Sequence, residues 1–261
     1  MAPDPGTAAT PIPASGPPTE PVPDKVRIRF RKDGPLRFLS HHDLLRTFER
    51  MLRRADLPFR RTKGFHPHPR LVFALSLPLG VVGREEVAEL ELERPYTPEE
   101  VHERLTRQAP PGLTLLSVAR IGLKTGAQVR GLSYGLPVPA DRSAELGQRR
   151  TDLLAATECW AERSRPSPRR VNLRPFLRDL RLTPGPADGR AFLEIDLWLT
   201  PEGTARPEEV LALLGLRDLL DAGAVLERTR LELHDEVIPS PVEEAGEESR
   251  RRELSGNKFP V

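Results

Sequence analysis

Apolar and basic residues alternate over residues 25–32 (KVRIRFRK), with Val26, Ile28 and Phe30 pointing one way and Arg27, Arg29 and Arg31 the other. A period of two with β-branched residues predicts a strand with one buried and one cationic face. After a turn at Asp33-Gly34-Pro35, Ser40 followed by Asp43 forms a capping-box-like helix start. Leu44, Leu45, Phe48, Met51, Leu52 and Ala55 then recur at helical spacing, opposite Arg46, Arg50, Arg53 and Arg54. Residues 71–77 (LVFALSL) and 87–93 (VAELELE) predict two strands, the second alternating apolar residues with glutamate. Thr97-Pro98-Glu99-Glu100 opens a helix over 97–108 with a cap, a first-turn proline and two favourable acids. A last strand spans 113–121, so the order is βαββαβ.

The second half repeats that order more loosely. Strand 133–138 precedes a helix over 144–162 with Leu146, Leu153, Leu154 and Trp160 on its apolar side. Strands 177–183 and 192–200 form a hairpin across 184–190, a helix follows over 206–216, and strand 227–233 closes the half. The predicted fold class is α+β, two tandem ferredoxin-like (βαββαβ) halves over 25–123 and 130–235. Each half packs two helices on one sheet face and leaves the other free. The repeat is one of order, not of residues, and an independent α+β second domain is the alternative.

Composition changes this picture at the ends. The chain has 29 prolines in 261 residues, and eight fall within 1–24, where no apolar run occurs. That segment is expected to be a disordered Pro-rich tail and lacks the basic-then-apolar form of a secretory signal. Residues 240–261, with Arg250-Arg251-Arg252 and Ser255-Gly256-Asn257, are expected to be a second, charged tail. No stretch is apolar enough for a membrane span. The single cysteine, Cys159, excludes an internal disulfide and a tetracysteine metal or iron–sulfur site, so a reducing, cytoplasmic setting is expected.

The net charge of +2 conceals segregation. Residues 25–70 carry fourteen Lys/Arg against four acids, residues 84–103 eight glutamates against two arginines, and residues 163–181 seven arginines against one aspartate. Such a distribution points to polyanionic partners, although arginine-rich composition with merely solvated faces would look the same.

The densest basic stretch is RRTKGFHPHPR, residues 60–70. Gly64 permits a bend and the prolines stiffen the track. Arg60, Arg61, Lys63 and Arg70 offer phosphate contacts, while Phe65, His66 and His68 offer rings on which an unpaired base can stack. The alternative is a structural loop in which Phe65 plugs the core. Arg27, Arg29, Arg31, Arg46, Arg50 and Arg54 extend the expected RNA-contact set. His41 and His66 are the candidate general bases for attack by a ribose 2′-OH. No carboxylate pattern accompanies the histidines, so neither metal nor other cofactor is expected. No phosphate loop, dinucleotide fingerprint, HExxH or GxSxG motif occurs.

Residues 34–81 closely resemble the bacterial radical-SAM-linked domain of unknown function. The matching pieces are Arg37-Phe38-Leu39-Ser40-His41, Asp43-Leu44, Glu49-Arg50, Leu52-Arg53-Arg54-Ala55, Gly64-Phe65-His66-Pro67 and Pro78-Leu79-Gly80-Val81. Val171-Asn172-Leu173-Arg174-Pro175 and Gly203-Thr204-Ala205-Arg206-Pro207-Glu208 resemble its later signatures, which adds Arg37, Arg174 and Arg206 to the contact set. His42 departs from the pattern, standing where an apolar residue is expected. The resemblance implies a radical-SAM protein as partner. In order and in the LRFLSHHDL stretch, the chain is more distantly similar to CRISPR repeat-processing RNA endonucleases. The expected function is an RNA-binding accessory protein, without chemistry of its own, for a radical-SAM enzyme acting on tRNA or rRNA. A metal-independent RNA endonuclease with a histidine base and a protein-interaction adaptor are the rivals.

Overall fold

The alternation over the first strand is realised as β1 (Asp24–Lys32), whose Val26, Ile28 and Phe30 are fully buried. A computed structural model describes residues 22–164, 167–184 and 190–236. The expected tails lie outside the described residues, apart from 22–24, where Asp24 already belongs to β1.

Helix α1 (His41–Arg54) starts where Ser40 Oγ accepts the Asp43 N–H at 3.2 Å. Its buried Leu44, Phe48, Met51 and Leu52 lie on the apolar face of β1. The rings of Phe30, Phe48 and Phe73 meet edge-on or tilted at 5.1–5.8 Å. Strands β2 (Leu71–Phe73) and β3 (Val82–Leu92) follow, then α2 (Pro98–Thr106), capped by Thr97, and β4 (Leu113–Ile121).

The second half runs β5 (Val129–Val138), α3 (Ala140–Ala155), β6 (Trp160–Arg163), β7 (Arg169–Asn172), β8 (Leu177–Pro184), β9 (Ala191–Trp198), α4 (Pro207–Leu213), α5 (Arg217–Asp221) and β10 (Glu227–Leu233). The architecture is mixed α/β: one mixed eight-stranded sheet in the order β4-β1-β3-β10-β5-β9-β8, with β2 also on β3, a separate β6–β7 ribbon, and few helices. Neighbours are antiparallel except at the joint, where β10 runs parallel to β3 over Glu227↔Val82 and Arg228↔Gly83. Counting only strands of the main sheet, the order from β4 inward, and again from β10 outward, is fourth, first, third, second strand of that half.

Four expectations are corrected. The strand expected over 71–77 stops at Phe73, because the Leu75 and Ser76 carbonyls turn to accept hydrogen bonds from Arg228 at 3.2 and 3.1 Å. The helix expected over 144–162 spans Ala140–Ala155 instead. Trp160 is therefore not on a helix: Cys159 is held from afar, its N–H by Asn172 Oδ1 and its carbonyl by the Leu173 N–H. The helix expected over 206–216 ends at Leu213, where Gly215 at φ +71° takes the left-handed turn. The chain then starts α5, which periodicity did not reveal.

Two apolar cores line the helix-bearing side of the sheet, one per half. Val81 and Val87 of the first half pack into the second core. Between the cores lie buried charges. Arg228, 1% exposed, donates two bonds to the Glu86 carboxylate, and Lys32, also 1% exposed, donates to the Leu39 carbonyl at 2.9 Å. A Cβ at Gly83 would fall 2.5 Å from Glu86 Cγ, so glycine there makes room for the acid. Burial pushes the Lys32 ammonium below its ordinary pKa.

Candidate nucleic-acid interface

Residues 60–70 form a hairpin beyond the end of β3. Glu91 ties its base: the Arg60 N–H donates to the Glu91 carbonyl at 2.9 Å, and the Glu91 N–H to the Arg70 carbonyl at 3.0 Å. Arg70 N–H to Arg60 O (2.8 Å) and Thr62 N–H to His68 O (2.8 Å) continue the ladder, and Thr62 Oγ1 accepts the His68 N–H at 3.1 Å. At the tip Gly64 adopts φ +141°, a conformation that side-chain-bearing residues rarely take.

Phe65 crowns this tip with a relative exposure of 102%. It does not plug the core. Lys63, His66 and His68 are exposed around it. The Arg61 guanidinium lies 4.9 Å from the Phe59 ring centroid. Neither Arg61 nor Lys63 forms an ion pair among the described residues, whereas Arg60 and Arg70 share the Glu91 carboxylate at 3.1 and 2.9 Å. The hairpin thus has a neutralised base and a cationic, aromatic tip.

The remaining sequence-identified cations do not join it as one surface. Arg27, Arg29 and Arg31 occupy the sheet face opposite α1, so they lie across the sheet from Arg46, Arg50 and Arg54. Arg27 is 5% exposed and meets Glu89 at 2.9 Å and Asp235 at 2.8 Å. Burial opposes its charge, but the hydrogen bonds and fields of Asp235 and Glu89 outweigh that and raise its pKa further. Arg29 pairs with Glu236 and reaches the Leu231 carbonyl at 3.4 Å, while Arg31 pairs with Asp33 at 2.5 Å. The glutamates of β3 and the acids after β10 cancel the cationic face of β1.

On α1, Arg46 lies 3.7 Å from Asp43, Arg50 donates to Thr47 Oγ1, and Arg54 is exposed without an ion pair among the described residues. Arg37 stacks on exposed Phe38 with its Cζ 4.6 Å from the ring centroid. Arg174 is engaged by the fold. Its guanidinium donates to the carbonyls of Leu154, Ala156 and Leu177 at 2.9–3.0 Å and closes the end of α3. Arg206 is exposed at the start of α4, where Glu209 Oε2 accepts its N–H.

Of the candidate bases, His41 Nδ1 lies 3.4 Å from Ser76 Oγ, beside the cleft that contains Lys32 and Glu86. His66 stands apart on the hairpin. Among the described residues no group of three or more His, Cys, Asp or Glu is placed to hold a metal, and no helix is long and apolar enough to cross a membrane. Sequence reasoning missed the Lys32–Glu86–Arg228 cluster and the β6–β7 ribbon. Gly83 was the one local signal of the cluster, and it acquires meaning only beside Glu86.

Residues 25–207 match the family described as "Uncharacterized protein conserved in bacteria (DUF2344)". No curated protein matches the sequence. Among solved structures, the chain is similar to the crystal structure of an unknown protein from Galdieria sulphuraria, with 12% identity and a TM-score of 0.25 over 83% of this chain and all of that one. A score that low carries no argument about fold or function.

Proposed function

We propose a function for this chain from one premise: it belongs to the DUF2344 family of uncharacterized proteins conserved in bacteria. It is an RNA-binding protein that grips a single strand with the 60–70 hairpin. The observation that carries this reading is the fully exposed Phe65 on a hydrogen-bonded tip, flanked by Lys63, Arg61 and the two histidines. A ring presented on a braced backbone stacks a base with little further ordering of the chain, and Arg61 and Lys63, without ion pairs among the described residues, can replace the counterions of the backbone. Paired Arg27, Arg29 and Arg31 are not part of the grip.

The strand order of each half supports its reading as a ferredoxin-like unit, a frame that presents such arms. The resemblance to the radical-SAM-linked domain supplies the partner in this proposal, a radical-SAM enzyme to which the RNA, a tRNA or rRNA, is presented. The lone, buried Cys159 suits a reducing cytoplasm.

The test is RNA binding by the full chain at several salt concentrations. Phe65→Ala should lower affinity by about 1–3 kcal/mol and leave the salt slope alone. Arg61→Ala with Lys63→Ala should flatten the slope by about 0.7 for each phosphate no longer neutralised. Equal affinities and slopes for all three proteins would end the RNA reading.

A further inference from the structure

The hairpin between α1 and β2 has a counterpart at the same point of the second half. There, between α3 and β8, the β6–β7 ribbon stands off the main sheet with register Trp160↔Asn172 to Arg163↔Arg169. One side of the ribbon is docked: Arg163 forks onto Glu209 at 2.6 and 2.8 Å and donates to the Thr204 carbonyl at 2.8 Å. The other side carries Trp160, 44% exposed, with the Arg170 guanidinium 5.1 Å from its ring centroid. Docking holds the tryptophan in place without burying it.

Trp160 walls an open cleft of about 440 Å³ whose apolar lining includes Leu153, Ala156 and Leu213 and whose polar lining is Asp152, Glu158 and Arg149, the last already engaged by Glu145 and the Leu214 carbonyl. The volume is in the size range of small-molecule sites, typically about 300–1,000 Å³. An aromatic wall with an apolar lining suits a flat heterocycle. The two carboxylates accept bonds from Gln148 Nε2 at 2.8 Å and from Trp160 Nε1 at 2.9 Å, and an ionised carboxylate retains further acceptor capacity. They favour a ring whose edge presents N–H donors, and guanine presents an imino and an amino donor side by side. Arg170, opposite Glu162 on the same face of the ribbon as Trp160, is exposed without an ion-pair partner among the described residues, available to a phosphate.

We propose that this cleft receives one unstacked base, guanine in preference, of the same single strand that the 60–70 hairpin holds. The inference rests on the RNA reading and adds a second contact with base preference. Trp160 and Trp198 are the two tryptophans of the chain, so Trp198→Phe leaves Trp160 as its reporter. This variant is titrated with labelled single-stranded 12-mers, all uridine or uridine with one central guanine, while tryptophan emission and label anisotropy are read together.

Trp160 emission should be quenched in step with the anisotropy, more tightly for the guanine-containing strand. In the otherwise unchanged chain, Trp160→Ala should weaken binding roughly 5- to 100-fold at an unchanged salt slope. Trp160→Phe should restore most of the loss. If Phe65→Ala weakens binding while Trp160 emission and the affinity of Trp160→Ala stay unchanged, the cleft is overturned and the hairpin reading stands. If neither oligonucleotide binds the unaltered chain, both are overturned.

Discussion

The two halves place their strands in the same order and project a ribbon from the same connection, yet they are held together by different means. In the first half the helices are cut by their own sequence: Ser40 and Thr97 cap them, and the Phe30, Phe48 and Phe73 rings lock α1 to the sheet. In the second half α3 begins after Pro139 with no side-chain cap and ends under Arg174, a residue 18 positions beyond Ala156. Its ribbon is docked through Arg163 and Glu209, 46 positions apart, whereas the 60–70 hairpin is braced by neighbouring β3. A similar arrangement is thus reached by local signals in one half and by distant polar clamps in the other. On both arms some arginines hold structure, Arg60 and Arg70 on Glu91 and Arg163 on Glu209, while Arg61 and Arg170 face solvent beside an aromatic ring.

The largest expected effect lies where the halves meet. Glu86→Gln leaves Arg228 and Lys32 buried without their countercharge and should cost about 3–5 kcal/mol in denaturant unfolding. Glu227→Gln, which breaks the more exposed Arg84–Glu227 pair at the same joint, should cost about 1 kcal/mol or less. Similar costs for the two would show that the joint does not depend on the buried pair.

Next comes the contrast between cores. Phe48→Ala, at a fully buried ring, should lose about 3–5 kcal/mol. Leu153→Ala, at a half-buried position on α3, should lose less than about 2 kcal/mol. Reversal of that ranking would place the tighter core in the second half.

The caps give a smaller effect. Ser40→Ala should cost about 1 kcal/mol, read as a lowered melting temperature, because the Asp43 N–H loses its acceptor. No loss would mean that α1, like α3, does not depend on a side-chain cap at its start.

The smallest effect depends on pH. The hydrogen bond from Arg27 holds the Asp235 carboxyl below its ordinary value of 3.8. A group with a depressed folded-state pKa contributes stability above its unfolded value, and that contribution is lost as pH falls through the folded one. The melting-temperature advantage of the unaltered chain over Asp235→Asn should therefore be constant near neutrality, begin to shrink near pH 3.8 and vanish only below the lower folded-state value. An advantage that persists in acid would separate Asp235 from the Arg27 clamp.

How much was legible follows from the range of each interaction. Residues 25–32, 40–55 and 97–108 announce their elements through periodicity and caps, which act within a few positions, and strand 227–233 was located to the residue. Most of the Trp160–Arg163 strand falls inside the helix expected over 144–162, because Leu146, Leu153, Leu154 and Trp160 satisfy a helical stripe while the bonds from Asn172 and Leu173 that pull Cys159 out of it lie elsewhere in the chain. Phe65 looked equally suited to a core plug or a platform, since composition does not say which way a hairpin tip points.

Charge shows the division most clearly. The sequence by itself determined which side chains share a face: Arg27, Arg29 and Arg31 opposite Val26, Ile28 and Phe30, because a strand's period of two is a local property. Only the tertiary structure decided that this face is neutralised. Arg27 and Asp235 stand 208 positions apart, and their meeting depends on β10 joining the edge of β3. Side-chain direction is set by neighbouring backbone. The partner of a charge is set by which strands share an edge, and that is a property of the whole sheet.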